Sequence, residues 1–240
     1  MNILITGGSS GLGKSTVELL AQELQHNVWF TYLPDEKNEA SVYYLTHEFH
    51  NTEAIPVDYC EIESVNRLCS LISRINLDVL VNNAYVGKPL SAHFHRIEAE
   101  DFLTGFTNNI LPTILISQAA IRTFREKKFG KIINILTSAL LTFPPLGSSI
   151  YVANKTYLLE LSRVWNKEYA RYNITSNCIS PEYMDTGFNK IDDRLVEQMI
   201  MEHPLKRLLT TTEIAEVIKF LIDASQQING VNILVNASQK

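Results

Sequence analysis

Short runs of β-forming residues alternate with longer helical patterns along the whole chain, and few folds accommodate that rhythm. The runs are 2–6, 28–32, 54–57, 77–81, 131–136, 175–179 and 231–235. Helical patterns fill 12–25, 39–50, 62–75, 101–127, 151–172 and 212–224. Most of the runs are apolar at consecutive positions rather than at alternate ones, so both of their faces call for cover. Repeated βα units place strands side by side in parallel, because each helix carries the chain back across a sheet face. The expectation is an α/β fold: a doubly wound sheet of about seven parallel strands with helices on both faces. No linker, low-complexity stretch or internal repeat divides the 240 residues, and 45% of them are hydrophobic. One domain over 1–240 follows.

The first run ends in Thr6-Gly7-Gly8-Ser9-Ser10-Gly11-Leu12-Gly13, and a helix follows. Glycines at such a turn let the chain reverse sharply and let the backbone approach a pyrophosphate with no Cβ in the way. The helix then directs its first N–H groups at the anion. This is a Rossmann-type nucleotide turn. A rival reading exists, because Gly8 to Ser15 also matches GxxxxGK[ST], a nucleotide-triphosphate loop that would use Lys14 on phosphate.

Tyr151 and Lys155 stand four residues apart and share one face if the stretch is helical. A free phenol titrates near ~10, too high for ready proton exchange at neutral pH. A neighbouring ammonium stabilises the phenolate and lowers that value. Tyr151 then serves as general acid toward a carbonyl or general base toward an alcohol. Ser138, thirteen residues upstream and just past a strand, offers a hydroxyl for the substrate oxygen. Counting from Asn134 favours Thr137 for that role. Counting from Tyr151 favours Ser138, which is the choice made here.

These segments together resemble the short-chain dehydrogenase/reductase family over essentially the whole chain. TGGSSGLG resembles the TGxxxGxG cofactor loop of that family. Val57-Asp58 resembles its adenine-contacting aspartate, and Asn82-Asn83-Ala84 its NNAG element. Asn109 resembles the catalytic asparagine, and Ser138, Tyr151 and Lys155 complete the tetrad. Pro181 and Thr186 resemble the element beside the nicotinamide. His203 to Leu208, followed by Glu213-Ile214-Ala215, resembles a late segment frequent in the family. So many ordered matches set the triphosphate loop aside. The resemblance implies a cofactor held by Gly7, Ser9, Ser10, Gly11, Leu12, Gly13, Tyr32, Asp58, Asn83, Ala84, Tyr151, Lys155, Pro181 and Thr186. It implies that Lys155 binds ribose hydroxyls and that Asn109 holds a water linking Lys155 to solvent. It also implies hydride transfer between a carbonyl and a secondary alcohol, with a 3-oxoacyl thioester or a sugar as substrate. Three departures stand out: Tyr85 where NNAG has glycine, Glu182 after Pro181, and Val235-Asn236-Ala237-Ser238 at the end. Tyr85 and Glu182 motivate the alternative of a cofactor-binding regulatory or scaffold protein with little turnover.

Strand two ends in Tyr32-Leu33, with neither an acid to hold a ribose hydroxyl nor a base to hold a 2′-phosphate. NADP(H) is favoured slightly over NAD(H), because no acid excludes it. Ser9, Ser10 and Thr31 are the candidate hydroxyls for a phosphate. The net charge of -5 and the lack of a basic run give no nucleic-acid footprint. No run reaches the ~18 apolar residues of a membrane span. Cys60, Cys69 and Cys178 form no CxxC pair and read as reduced thiols, so a cytoplasmic location is expected. His93 and His95 read as loop residues, and no metal site is expected. Segment 183–203 reads as a helical insertion; the resemblance implies a substrate lid with Met184, Phe188, Met199, Ile200 and Met201 as apolar lining, the alternative being an amphipathic helix packed on the core, and its Lys190 and Arg194 give little basic charge for an acidic carrier. By resemblance, helices 101–127 and 151–172 form the faces of a homo-oligomer, a dimer or tetramer.

Overall fold

The computed structural model describes residues 1–89, 92–188 and 191–238. Seven parallel strands form one sheet in the order β3-β2-β1-β4-β5-β6-β7. They are β1 (Asn2–Ile5), β2 (Asn27–Tyr32), β3 (Thr52–Pro56), β4 (Val79–Asn82), β5 (Gly130–Ile135), β6 (Ile174–Pro181) and β7 (Asn232–Val235). Their side chains sort by parity. Leu4, Leu80 and Ile132 join one buried cluster with Val65, Leu68, Phe124, Leu158 and Trp165. Ile3, Ile5, Val79, Val81 and Ile133 join another with Val17, Leu20, Ile214 and Ile218. Successive residues of a strand point to opposite faces, so consecutive apolar residues require a helical layer on each side.

The first layer is α3 (Ile62–Arg74), α5 (Leu111–Lys127) and α6 (Ser149–Tyr169); the second is α1 (Gly11–Ala21), α2 (Glu36–Glu48) and α8 (Thr211–Asp223), with α4 (Ala99–Gly105) and α7 (Asp193–Glu202) outside the sheet layers. Among the described residues no helix is long and apolar enough to cross a membrane.

Two sequence expectations change. The helix expected over 101–127 is two helices, α4 and α5, joined by a π-helical turn, Phe106–Ile110. Among the described residues of the expected lid, Asp193–Glu202 alone is helical. Asp192 starts that helix by accepting from the Arg194 N–H at 2.9 Å. Within the lid, Asn189 and Lys190 lie outside the described residues.

The chain leaves β1 toward β2 on one side and later returns to β4 on the other. A crevice opens at the carboxyl ends of β1 and β4, which is where doubly wound sheets take ligands. Beneath it the central strands are tied by polar side chains. Asn82 donates to Asn134 Oδ1 at 2.9 Å and Asn134 donates to Ser162 Oγ at 3.2 Å. Asn134 is fully buried. Asn134→Ala strands these partners away from water, and urea unfolding should show a loss of about 2 kcal/mol.

Candidate active site

The glycine turn is built for close approach. Gly7 and Gly11 have φ of +67° and +49°, which favour glycine. A Cβ on Gly13 would collide with the Gly7 carbonyl. Thr6 Oγ1 accepts from the N–H groups of Asn83 at 2.9 Å and Ala84 at 3.0 Å. Asn83 Nδ2 returns a bond to the Thr6 carbonyl at 2.9 Å. The ends of β1 and β4 are therefore locked together across the crevice. Ser10 precedes α1 without a side-chain cap, so the first amides of the helix face the turn unmasked by its own sequence. These features fit a dinucleotide pyrophosphate.

Lys14 and Ser15 point elsewhere. Lys14 Nζ pairs with Glu18 at 3.7 Å and lies 5.0 Å from the centre of the Tyr44 ring. Ser15 Oγ lies 2.7 Å from Thr211 Oγ1. A triphosphate loop needs both residues on phosphate and metal, so the geometry goes against that rival.

Two of the three candidate hydroxyls turn inward. Thr31 is buried and its Oγ1 accepts from Gly7 N–H at 2.9 Å. Ser9 is buried and donates to Asn38 Oδ1 at 2.6 Å. Asn38 carried no signal in the sequence reading. It links the glycine turn to Asp35, donating to Asp35 Oδ1 at 2.7 Å. Asp35 also caps α2 through the Asn38 N–H at 3.0 Å. The half-buried Tyr32 lies just before this corner. Asp58 follows β3, and its carboxylate accepts from Cys60 N–H at 2.8 Å.

At the other end of the crevice, Tyr151 and Lys155 share one face of α6. The Thr137 side chain stands beside the Tyr151 hydroxyl and favours its ionised form. Ser138 is buried at the start of a 3-10 turn, where its carbonyl accepts from Leu141 N–H at 2.8 Å and Thr142 N–H at 3.0 Å. Thr137, which counting from Asn134 favours, and Ser138 both stand buried between β5 and α6. Pairing of Asn134 with Asn82 and Cys178 fixes the register of β5, whereas the loop before α6 is free in length.

Lys155 is buried and its Nζ donates to the Ile135 carbonyl at 2.7 Å. The ammonium lies 5.3 Å from the ring centre of Tyr85 and 5.7 Å from that of Tyr151. Burial pushes Lys155 down to about 8. Burial, with repulsion from the second phenol of Tyr85, holds Tyr151 above its ordinary value, while Thr137 opposes this. This corrects the expectation that Lys155 lowers Tyr151: in this arrangement the ammonium serves a carbonyl and ring faces, and desolvation of the phenol dominates. Tyr151 is a protonated donor at neutral pH.

Asn109 lies buried in the π-helical turn, a local form frequent at functional sites. Its Oδ1 accepts from Val86 N–H at 2.6 Å, and its Nδ2 donates to the carbonyls of Val86 at 3.1 Å and Gly105 at 3.0 Å. A small, partly open cavity of about 10 Å³ is lined by Asn109, Thr113, Asn154 and Lys155 among others. It has room for about one water between polar groups.

Pro181 ends β6 beside Val235, and the Glu182 N–H bonds the Val235 carbonyl at 3.0 Å. The segment beyond then folds back over the crevice. Thr186 Cβ packs 3.2 Å from where a Cβ on Gly11 would stand. Phe188 meets Tyr85 edge-on with ring centres 5.9 Å apart. Among the described residues, no three His, Cys, Asp or Glu side chains are placed to hold a metal.

A dinucleotide cradle at one end of a crevice and a hydroxyl pair with a buried lysine at the other define a pyridine-nucleotide-dependent oxidoreductase acting between carbonyl and alcohol. Known proteins agree. The profile of a family described as enoyl-(acyl carrier protein) reductase matches residues 7–237. A 3-oxoacyl-[acyl-carrier-protein] reductase of Staphylococcus epidermidis is 30% identical over 238 residues, covering 97% of this chain and 96% of the relative. One from Chlamydia trachomatis is 29% identical over 232 residues, covering 95% and 92%. The solved structure of ElxO with NADP bound superposes with a TM-score of 0.86 at 26% identity, covering 98% of this chain and 97% of that one. A short chain dehydrogenase/reductase family protein superposes at 0.83 with 27% identity, covering 99% and 96%. The chain belongs to the short-chain dehydrogenase/reductase family.

Proposed function

We propose that this chain, working as one domain, reduces the 3-oxo group of an acyl thioester to a secondary alcohol with NADPH. Tyr151, with Thr137 beside its hydroxyl and Lys155 buried one turn on in α6, carries the reading. Two hydroxyls converging beside a buried ammonium suit a carbonyl oxygen that gains negative charge. The named activity of the staphylococcal and chlamydial relatives supports the substrate class.

Gly7, Gly11, Gly13 and the first turn of α1 hold the pyrophosphate, and Asn83, Ala84, Pro181 and Thr186 border the nicotinamide. Tyr32, Asp58 and Asn38 border the adenosine. Lys155 binds the ribose hydroxyls. Bound NADPH supplies the hydride. Thr137, with Ser138 as the alternative, orients the carbonyl oxygen. Tyr151 gives that oxygen its hydroxyl proton. Lys155 then faces the phenolate, and the small cavity beside Asn109 lets a water return the proton. NADP(H) is favoured because the nearest carboxylate past β2, Asp35, is engaged in capping α2. ElxO binds NADP and NADPH in its solved structures, which supports the same choice. The test is NADPH or NADH consumption with acetoacetyl-coenzyme A, with crotonyl-coenzyme A as the enoyl control. NADH preferred over NADPH sinks the cofactor assignment, and reduction of the crotonyl thioester alone sinks the carbonyl one. Tight NADPH binding with no turnover across carbonyl substrates returns the scaffold alternative.

Lys155 also sets a pH limit. Its ammonium is present below about 8 and lost above it. Reduction at saturating NADPH is expected to stay level near neutrality and to fall as pH passes that value. A rate that stays level through about pH 10 removes Lys155 from the mechanism. The exposed Tyr157 and Val164 of α6 support a homodimer or tetramer, to be checked by light scattering. Reduced thiols support the cytoplasmic assignment.

A further inference from the structure

Tyr85 belongs to two spaces at once. On one side its ring meets the Tyr151 ring at 5.0 Å between centres, close to perpendicular, and the Phe188 ring at 5.9 Å. On the other it lines an open cavity of about 300 Å³ whose walls include Lys88, Asp101, Thr104, Asn108 and Ile150. Tyr151 is not part of those walls, although Ile150 precedes it. The ring of Tyr85 therefore stands as the partition between the reacting hydroxyl and a ready-made side chamber.

The partition is anchored. Before it, the Ala84 N–H is tied to Thr6 Oγ1 at 3.0 Å. After it, the Asn109 side chain takes both the N–H and the carbonyl of Val86, at 2.6 and 3.1 Å. The backbone at position 85 is thus fixed on both sides. The ring itself is steadied by Phe188, by the Lys155 ammonium beneath it and by Asn154 Nδ2, 3.4 Å from its hydroxyl.

We infer that Tyr85 is a specificity-determining residue, whose ring closes the side chamber to the substrate and restricts the carbonyl to a slender group on that side. This rests on the carbonyl-reductase reading. The cavity is large enough for an aryl group, so removing the ring joins two existing spaces and requires no new one. Discrimination by hydrophobic space of this kind is worth about 10- to 200-fold for a single methylene.

Two ketones that differ only in the group on one side test it: ethyl 3-oxobutanoate, with a methyl, and ethyl 3-oxo-3-phenylpropanoate, with a phenyl. Wild type should favour the methyl compound in kcat/KM. Tyr85→Ala and Tyr85→Gly should raise the phenyl-to-methyl ratio by about tenfold or more, while Tyr85→Phe, which keeps the ring, leaves the ratio where it was. NADPH titration by fluorescence should show the cofactor held equally well by all four proteins. Thr104→Trp added to Tyr85→Ala refills the chamber and should withdraw the gain. An unchanged ratio in active Ala and Gly variants overturns the inference, as does a gain that Thr104→Trp leaves intact. Wild-type protein that binds NADPH but reduces neither ketone, nor acetoacetyl-coenzyme A, overturns the carbonyl-reductase reading itself.

Discussion

Replacing Tyr151 by Phe is expected to lower kcat for 3-oxoacyl reduction by about 10²- to 10⁴-fold, the range supplied by a positioned proton donor. The substitution removes one oxygen and keeps the ring. The edge contact with Tyr85 and the ring beside the Lys155 ammonium should survive. NADPH affinity should therefore change by no more than a few-fold. The two readouts belong together. A loss of turnover with cofactor binding intact places Tyr151 in the chemical step, whereas equal losses of both make it a binding residue only. A turnover number close to wild type refutes its role as acid. The sign of the titration adds a check. Tyr151 is held above its ordinary value and Lys155 below its own. Below about pH 8 Tyr151 carries its proton and Lys155 its charge, which is the pairing that carbonyl reduction requires.

The fold was legible because its signal is redundant. Consecutive apolar residues in β1, β4 and β5 leave no solvent face, and the alternating helices are the only segments able to cover both sides. The glycine turn was legible for a related reason: backbone proximity at Gly7, Gly11 and Gly13 leaves a mark that no other residue type can supply. The GK[ST] match of the same turn was misleading, since a spacing pattern says nothing of where Lys14 and Ser15 point.

Less of the site's detail could be read. The π-helical turn at 106–110 inserts one residue into a helix without interrupting its apolar pattern, so 101–127 looked continuous. The rise of Tyr151 depends on burial and on Tyr85, sixty-six positions away in sequence; the YxxxK spacing contains neither. Asn38 and Asn154 act through contacts with the glycine turn and with Tyr85, and a lone Asn near a helix start carries no such message. Tyr85 was visible only as a departure. What it does was hidden, because both the ring cluster and the chamber behind it are made by elements distant in the chain.

The choice between Thr137 and Ser138 shows the same limit and leads to the second large effect. Thr137→Val keeps the shape of the side chain and removes its hydroxyl. That hydroxyl stands beside Tyr151, and it accepts from Ala139 N–H at 3.3 Å. Its loss is expected to lower kcat by about 10²- to 10³-fold, the cost of deleting one donor at a developing oxyanion. Loss of the cap alone would cost about 1 kcal/mol of stability and leave kcat near its original value. Thr137→Ser restores the oxygen and should recover most of the turnover. Ser138→Ala, one position further along, should stay within a few-fold of wild type, because among the described residues Ser138 bonds through its carbonyl, which alanine retains. If the two results come out reversed, with Ser138→Ala inactive and Thr137→Val active, the loop-spacing count was the better guide. The substrate would then have to approach from the 3-10 turn side, and the nearness of Thr137 to Tyr151 would be a packing feature only. The register of β5 argues for the first outcome. Asn134 is held between Asn82 and Cys178, so the residue three positions on emerges at the crevice in a fixed direction, whatever the length of the loop that follows.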